Sequence, residues 1–113
     1  MNKRQRGNFY EELAANYLSS MGVEILERNY RCRLGEIDII GVDRDSLVFF
    51  EIKYRRGETF GTPFDAIDIR KQRRIINVAK YYLVTHSTDK YIRFDAVGIT
   101  GDDIEWIKNA FCL

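Results

Sequence analysis

Two apolar segments joined by a short polar turn constrain this chain more than any other feature. The first is Gly35-Glu36-Ile37-Asp38-Ile39-Ile40 and the second is Val48-Phe49-Phe50-Glu51-Ile52-Lys53, with Asp43-Arg44-Asp45-Ser46 as the turn between their strands. Segments this rich in Ile, Val and Phe read as strands. A connection this short makes them an antiparallel hairpin. Centred on Arg44-Asp45, the hairpin pairs residues whose numbers sum to 89. Asp38 is then expected opposite Glu51, and Glu36 opposite Lys53.

The acids make this hairpin unusual. Alternate side chains of a strand share a face, so Glu36 goes with Asp38, and Glu51 with Lys53. Opposed side chains start only about 4.5–5.5 Å apart. Two carboxylates at that range repel, and more strongly when water is excluded. A divalent cation would relieve the repulsion, because hard cations take carboxylate oxygens. Lys53 would relieve it too, as one rung of an ordinary salt-bridge ladder on a solvent-facing sheet. The residues alone leave both readings open.

The remaining sequence supplies a frame for the hairpin. Residues 8–21 carry a helical stripe of Phe9, Leu13, Tyr17 and Leu18, and Gly22 follows as a stop. Residues 23–31 alternate loosely as a further strand. Thr62-Pro63 and Asp68 are both suitable openers for a helix running to Val84, whose apolar face is Ile69, Ile75, Ile76, Ala79, Tyr82 and Leu83. Strands are expected at 91–99 and 103–107, with a last turn at Asn109-Ala110-Phe111. The order α-β-β-β-α-β-β predicts an α/β domain with a mixed central sheet flanked by helices. At 113 residues the chain fits one domain, expected over 7–113, with residues 1–6 as a flexible basic N-terminus.

Several chemistries are excluded or unsupported. The two cysteines, Cys32 and Cys112, are far apart and cannot form a four-ligand zinc site or a disulfide framework. The single histidine, His86, lies in a polar Thr-His-Ser-Thr stretch and offers no triad. No glycine-rich phosphate cradle occurs, so no nucleotide cofactor is expected. With no long apolar run, the expectation is a cytoplasmic protein without a membrane partner. The 18 basic and 17 acidic residues nearly cancel, but they are segregated. Residues 53–80 carry 8 basic and 3 acidic side chains, a net +5, whereas the flanks 1–52 (7 and 9) and 81–113 (3 and 5) are each −2. A basic block therefore follows directly on the paired acids.

Asp38 followed by Glu51-Ile52-Lys53 resembles the D…(D/E)xK signature of the PD-(D/E)XK nuclease superfamily. The whole chain more closely resembles the YraN family of small bacterial proteins, which is similar to archaeal Holliday junction resolvases. That resemblance rests on an ordered set of motifs: Gly7-x-x-x-Glu11-x-x-Ala14, Arg28-Asn29, Gly35-Glu36-Ile37-Asp38, and Phe50-Glu51-Ile52-Lys53-x-Arg55. Lys71-x-x-Arg74, Arg93-Phe94-Asp95 and Asn109-Ala110-Phe111 complete it. The superfamily's eponymous proline is absent, since Ile37 precedes Asp38.

The resemblance implies a restriction-endonuclease-like core and hydrolysis of phosphodiester bonds, with branched or structured DNA as substrate. It implies Mg²⁺ or Mn²⁺ held by Asp38, Glu51 and the backbone carbonyl of Ile52, with Glu11 contacting the metal directly or through water. Lys53 would orient the attacking water, and Glu36 would support the cluster from outside or pair with Lys53 or Arg55. Arg55, Arg56, Arg70, Lys71, Arg73 and Arg74 would hold phosphates, giving affinity without sequence information. The loop Gly57-Glu58-Thr59-Phe60-Gly61 is expected to move and to order on binding. A homodimer would suit a two-fold symmetric junction. The competing expectations are a catalytically silent nuclease-fold module that binds DNA or a protein, and a protein-interaction subunit using exposed aromatics.

Overall fold

The central hairpin forms in the expected register. In a computed structural model, which describes residues 1–55 and 67–112, strand β2 (Gly35–Asp43) pairs antiparallel with β3 (Ser46–Arg55). The ladder runs from Asp43↔Ser46 to Ile39↔Phe50, and each pair sums to 89. It stops there. The backbone N–H of Ile52 donates to Asp38 Oδ2 at 2.8 Å, so a carboxylate takes the place of the next strand carbonyl and the two strands part.

Around this hairpin the sheet is completed by β1 (Glu24–Cys32), β4 (Tyr91–Thr100) and β5 (Asp103–Phe111), in the spatial order β1-β2-β3-β4-β5. Only β3 and β4 are parallel. The helix α2 (Ile69–Thr85) lies between them in sequence, as a parallel connection requires. The helix α1 (Lys3–Ser20) precedes β1. This is the expected mixed sheet flanked by helices, in the expected order, and it is compatible with a restriction-endonuclease-like core.

Both sheet faces are apolar, which explains why β3 reads as an unbroken hydrophobic run. Ala14, Ala15 and Leu18 of α1 pack against Ile39, Val48, Phe50, Val97 and Ile99. Ile75, Val78, Ala79 and Tyr82 of α2 pack against Ile37, Ile40, Leu47, Phe49 and Phe94 on the other face.

The alternation expected of β2 fails at one place. Ile37 belongs to the α2 core and Ile39 to the α1 core, although strict period two would put them on one face. The neighbouring strand breaks at the same level. Pairs Arg28↔Ile39 and Tyr30↔Ile37 bracket Asn29, which has φ 54°. Left-handed backbone is one that asparagine tolerates better than most residues. Arg28 consequently reaches α1, while Tyr30 stacks edge-on against Tyr82 of α2 at 5.1 Å. Asp38 sits where both strands change face.

Two boundaries differ from expectation, and a third falls on one of the two expected openers. The first helix starts at Lys3, not near residue 8, because Asn2 and Gln5 form a reciprocal capping box (2.8 and 2.9 Å). Residues 3–6, expected to lie outside the folded unit, are its first helical turn. The second helix is opened by Asp68, whose Oδ1 accepts from the Lys71 N–H at 2.9 Å; Thr62-Pro63 lies outside the described residues. Finally, Asn109-Ala110-Phe111 is strand and not a turn. Asn109, at φ 56°, absorbs a register shift and gives its N–H to Asp95 Oδ1 (2.8 Å), so that Phe111 still pairs with Phe94.

Candidate functional site

The parting of β2 and β3 opens a cleft with Asp38 and Glu51 at its base. Tyr10 and Glu11 of α1 line one side, and Lys71 of α2 lines the other. The cleft continues past Gly35 and Glu36 to Arg74. Gly35 enters β2 at φ 145°, a backbone conformation that only glycine adopts freely.

Glu51 is 6% exposed, and its side chain hydrogen-bonds that of Asp38. Burial pushes the Glu51 carboxyl up to about 8, and the Asp38 charge and the shared hydrogen bond push the same way. Burial also raises Asp38, against the opposing pull of its bonds to Glu51 and to the Ile52 N–H. Both carboxyls are thus shifted upward, as two acids sharing one desolvated site must be.

Two ammonium groups stand beside the pair. Lys71 Nζ is 3.4 Å from Glu51 Oε1. Lys53 is held below its usual range, first by burial and then by the Lys71 charge. Lys71, expected among the phosphate-holding residues of the basic block, lies at the base of the cleft. The cap at Asp68 accounts for this, since it fixes the first turn of α2 and directs Lys71 toward the sheet on the side of Ile75 and Val78.

Glu11 reaches the same cleft from α1. Burial raises its carboxyl, and the charges of Asp38 and Glu36 add to the effect. With its amide nitrogen turned to the carboxylate, Asn29 donates to both Glu11 oxygens. Arg28 holds the next residue, with Nη1 2.7 Å from Glu12 Oε2. The Arg28-Asn29 dipeptide is thus the clamp that fixes α1 over the cleft, a role that no local pattern in the sequence announces.

Glu36 turns toward the other neighbouring strand. It is not paired across the hairpin with Lys53, because the β2–β3 ladder has already ended. It instead faces Arg31 of β1, with Arg31 Nε 2.8 Å from Oε2. Among the basic residues, Arg74 lines the cleft and Arg70 is exposed. Arg73, two positions before buried Ile75, falls on the outward side of α2. Arg55 ends β3, and Arg56 lies outside the described residues, as does the loop 57–61.

The donor chemistry suits a hard cation only in part. Asp38 and Glu51 converge, but among the described residues no three acidic, histidine or cysteine side chains form a ready metal cage. A divalent ion would have two carboxylates, with water completing its shell, as is usual for Mg²⁺.

The motif Arg93-Phe94-Asp95 builds a separate network. Asp95 is fully buried and accepts from Arg93 Nε and Nη2 (2.9 and 2.8 Å), Trp106 Nε1 (2.8 Å) and the Asn109 N–H. Arg93 also reaches Asp43 at 2.7 Å. Burial alone would raise the Asp43 carboxyl, but Arg93 and Lys108 hold it below the usual range. This network ties β5 and the β2–β3 turn to β4, with every buried side-chain polar atom among the described residues satisfied.

Among the described residues, no helix is long and apolar enough to cross a membrane. Comparison with known proteins places the chain in a family of its own size. A "UPF0102 protein" of Lachnoclostridium phytofermentans is 52% identical over 113 residues, covering 98% of this chain and 96% of the relative. Those of Nitrosococcus oceani and Psychromonas ingrahamii are 46% and 44% identical, covering 96% and 94% of this chain and 92% and 88% of the relatives. The model of the uncharacterised protein family UPF0102 matches residues 10–99. The segment it matches spans α1 from Tyr10 through β4, and so includes Glu11, Asp38, Glu51, Lys53 and Lys71; on these matches the chain belongs to the UPF0102 family, the YraN family that its motifs resemble.

Proposed function

We propose that this protein is a metal-dependent nuclease that hydrolyses phosphodiester bonds, with branched or structured DNA as its substrate class. The observation that carries the reading is the half-buried Asp38 beside the buried Glu51, at the base of a cleft lined by cations. Two acids crowded into one desolvated site repel each other, and a divalent cation between them would relieve that repulsion. Mg²⁺ or Mn²⁺ would be held by Asp38, Glu51 and the Ile52 carbonyl, and would supply Lewis acidity and an acidified water.

The chain's own residues would do the rest. Lys53, held below its usual range, orients the attacking water and faces the phosphate charge. Glu11, fixed by Asn29, would close the cleft from α1 and help to hold the cation, directly or through water. Lys71 would exchange Glu51 for the phosphate once a cation holds the carboxylate. Arg74 lies along the cleft where the neighbouring phosphate would pass.

A second reading has one observation in its favour. The Lys71–Glu51 contact places an ammonium beside the carboxylate pair, as a protein without a metal would need. The chain would then be a nuclease-fold module that binds DNA or a protein without cutting. One experiment separates the two: a panel of branched, flapped and single-stranded DNA is incubated with Mg²⁺ or Mn²⁺, using wild type, Glu51→Gln and Lys53→Met. Cuts by wild type alone support the nuclease. Equal, metal-independent binding by all three proteins without cutting supports the silent module.

A further inference from the structure

We infer that the first two turns of α1 form a phosphate-binding wall of the cleft, with Lys3 and Arg6 gripping the backbone of the bound DNA strand. The inference rests on the nuclease reading for the identity of the strand, but its observations are separate ones.

The inward stripe of α1 changes chemistry along its length. Toward the C-terminal end it buries Ala14, Ala15 and Leu18. One turn earlier it presents Tyr10 and Glu11 to the cleft, and in the first two turns it presents Lys3, Arg6 and Gly7 to the same cleft. These positions are spaced three and four apart, so they lie on one side of the helix. Apolar contact, carboxylate and cations thus follow one another in a row toward the cleft mouth. A side chain at Gly7 would meet nothing within 4 Å, so there is open space beside the two cations.

The N-terminus of a helix carries a partial positive charge, and cations in the first turn oppose it. The first turn of α1 contains no acidic residue, and among the described residues Lys3 and Arg6 form no ion pair. The capping box at Asn2 and Gln5 nonetheless holds the turn helical. A polyanion at this place would be attracted by both side chains and by the helix end. The acids at the cleft base would repel it unless a cation were bound there, so the wall and the metal are expected to act together. Aromatic surface lies beside the cations, since Tyr10 and Tyr54 stack at 3.7 Å and both line the cleft.

The test compares wild type with the double variant Lys3→Gln/Arg6→Gln, by fluorescence anisotropy on a labelled, flapped DNA duplex. Titrations run over a salt series in Ca²⁺, and thermal melting is measured on the same proteins. Lys90→Gln, at the opposite end of the sheet, is the control. The double variant is expected to bind at least tenfold more weakly at low salt, and its log K against log salt slope should be shallower by about 1.4–1.8. Its melting temperature should be unchanged or higher, because the helix end has lost two unfavourable charges. Wild-type affinity and slope in the double variant would overturn the inference, as would an absence of wild-type binding at low salt. Binding that depends on Lys3 and Arg6 without cleavage in Mg²⁺ or Mn²⁺ would leave the wall standing and remove the nuclease reading.

Discussion

Raising the pH from 5 to 7 should destabilise the metal-free protein, and Glu51 should be responsible. In the unfolded chain this carboxyl titrates near 4.5; in the fold it is pushed up to about 8. Between those values the native state holds a proton that the unfolded state has released. Stability is then highest below the window and is lost as pH rises through it. Each unit well inside the window costs about 1.4 kcal/mol, and the step from pH 5 to 7 costs roughly 2–3 kcal/mol. Little discount for solvent applies to a side chain that is 6% exposed. The assay is urea unfolding in EDTA at half-unit pH steps, followed by fluorescence of Trp106. Glu51→Gln should lose most of the slope and be the more stable protein at pH 7. Millimolar Mg²⁺ or Mn²⁺ should restore stability to wild type by displacing the proton, and leave Glu51→Gln unmoved. Parallel pH profiles for the two proteins would refute the burial of a shared proton. Indifference of wild type to both ions would refute the metal assignment.

Further outcomes follow from the same geometry. Asp38→Asn keeps an acceptor for the Ile52 N–H but removes one of the two carboxyl groups, so calorimetric titration of Mn²⁺ should show the site lost while the protein stays folded. Lys71→Met removes a positive charge that competes with a bound cation at Glu51, and a dication gains more from its loss than a proton does, so Mn²⁺ binding at a fixed pH should tighten; weaker binding would contradict this. Asp95→Ala strands Arg93, Trp106 Nε1 and the Asn109 N–H in the interior, and should cost about 3–5 kcal/mol by urea unfolding. Asn29→Ala forces alanine into left-handed backbone and releases Glu11, at about 1–2 kcal/mol, and should reduce any metal-dependent cleavage by more than the loss of folded protein explains.

Much of the frame was legible from short-range pattern. The apolar runs and the polar turn at Asp43–Ser46 determined the hairpin and its register, because a turn this short fixes which residues face each other. Asp68 marked the start of α2 by its capping chemistry. The start of α1 was misjudged because the apolar stripe begins only at Phe9, whereas the helix is extended to Lys3 by a polar capping box.

The candidate site was legible as a set of residues but not as an arrangement. Asp38, Glu51 and Lys53 are close in sequence, and the hairpin brings them together with no further information. Extending the hairpin register past Ile39 wrongly gave Glu36 to Lys53, because the ladder ends where Asp38 captures the Ile52 N–H. Nothing local could show that. The face switch at Asn29 and Asp38 needs α1 and α2 on opposite sides of the sheet, each claiming one of Ile39 and Ile37. Lys71 could be assigned to Glu51 only once α2 had docked on β2. The sequence by itself determined which strands pair and which acids they carry, since those follow from alternation and turn length. The tertiary structure decided which cations face those acids and which helix walls the cleft. Such contacts join segments far apart in the chain, and packing, not pattern, selects them.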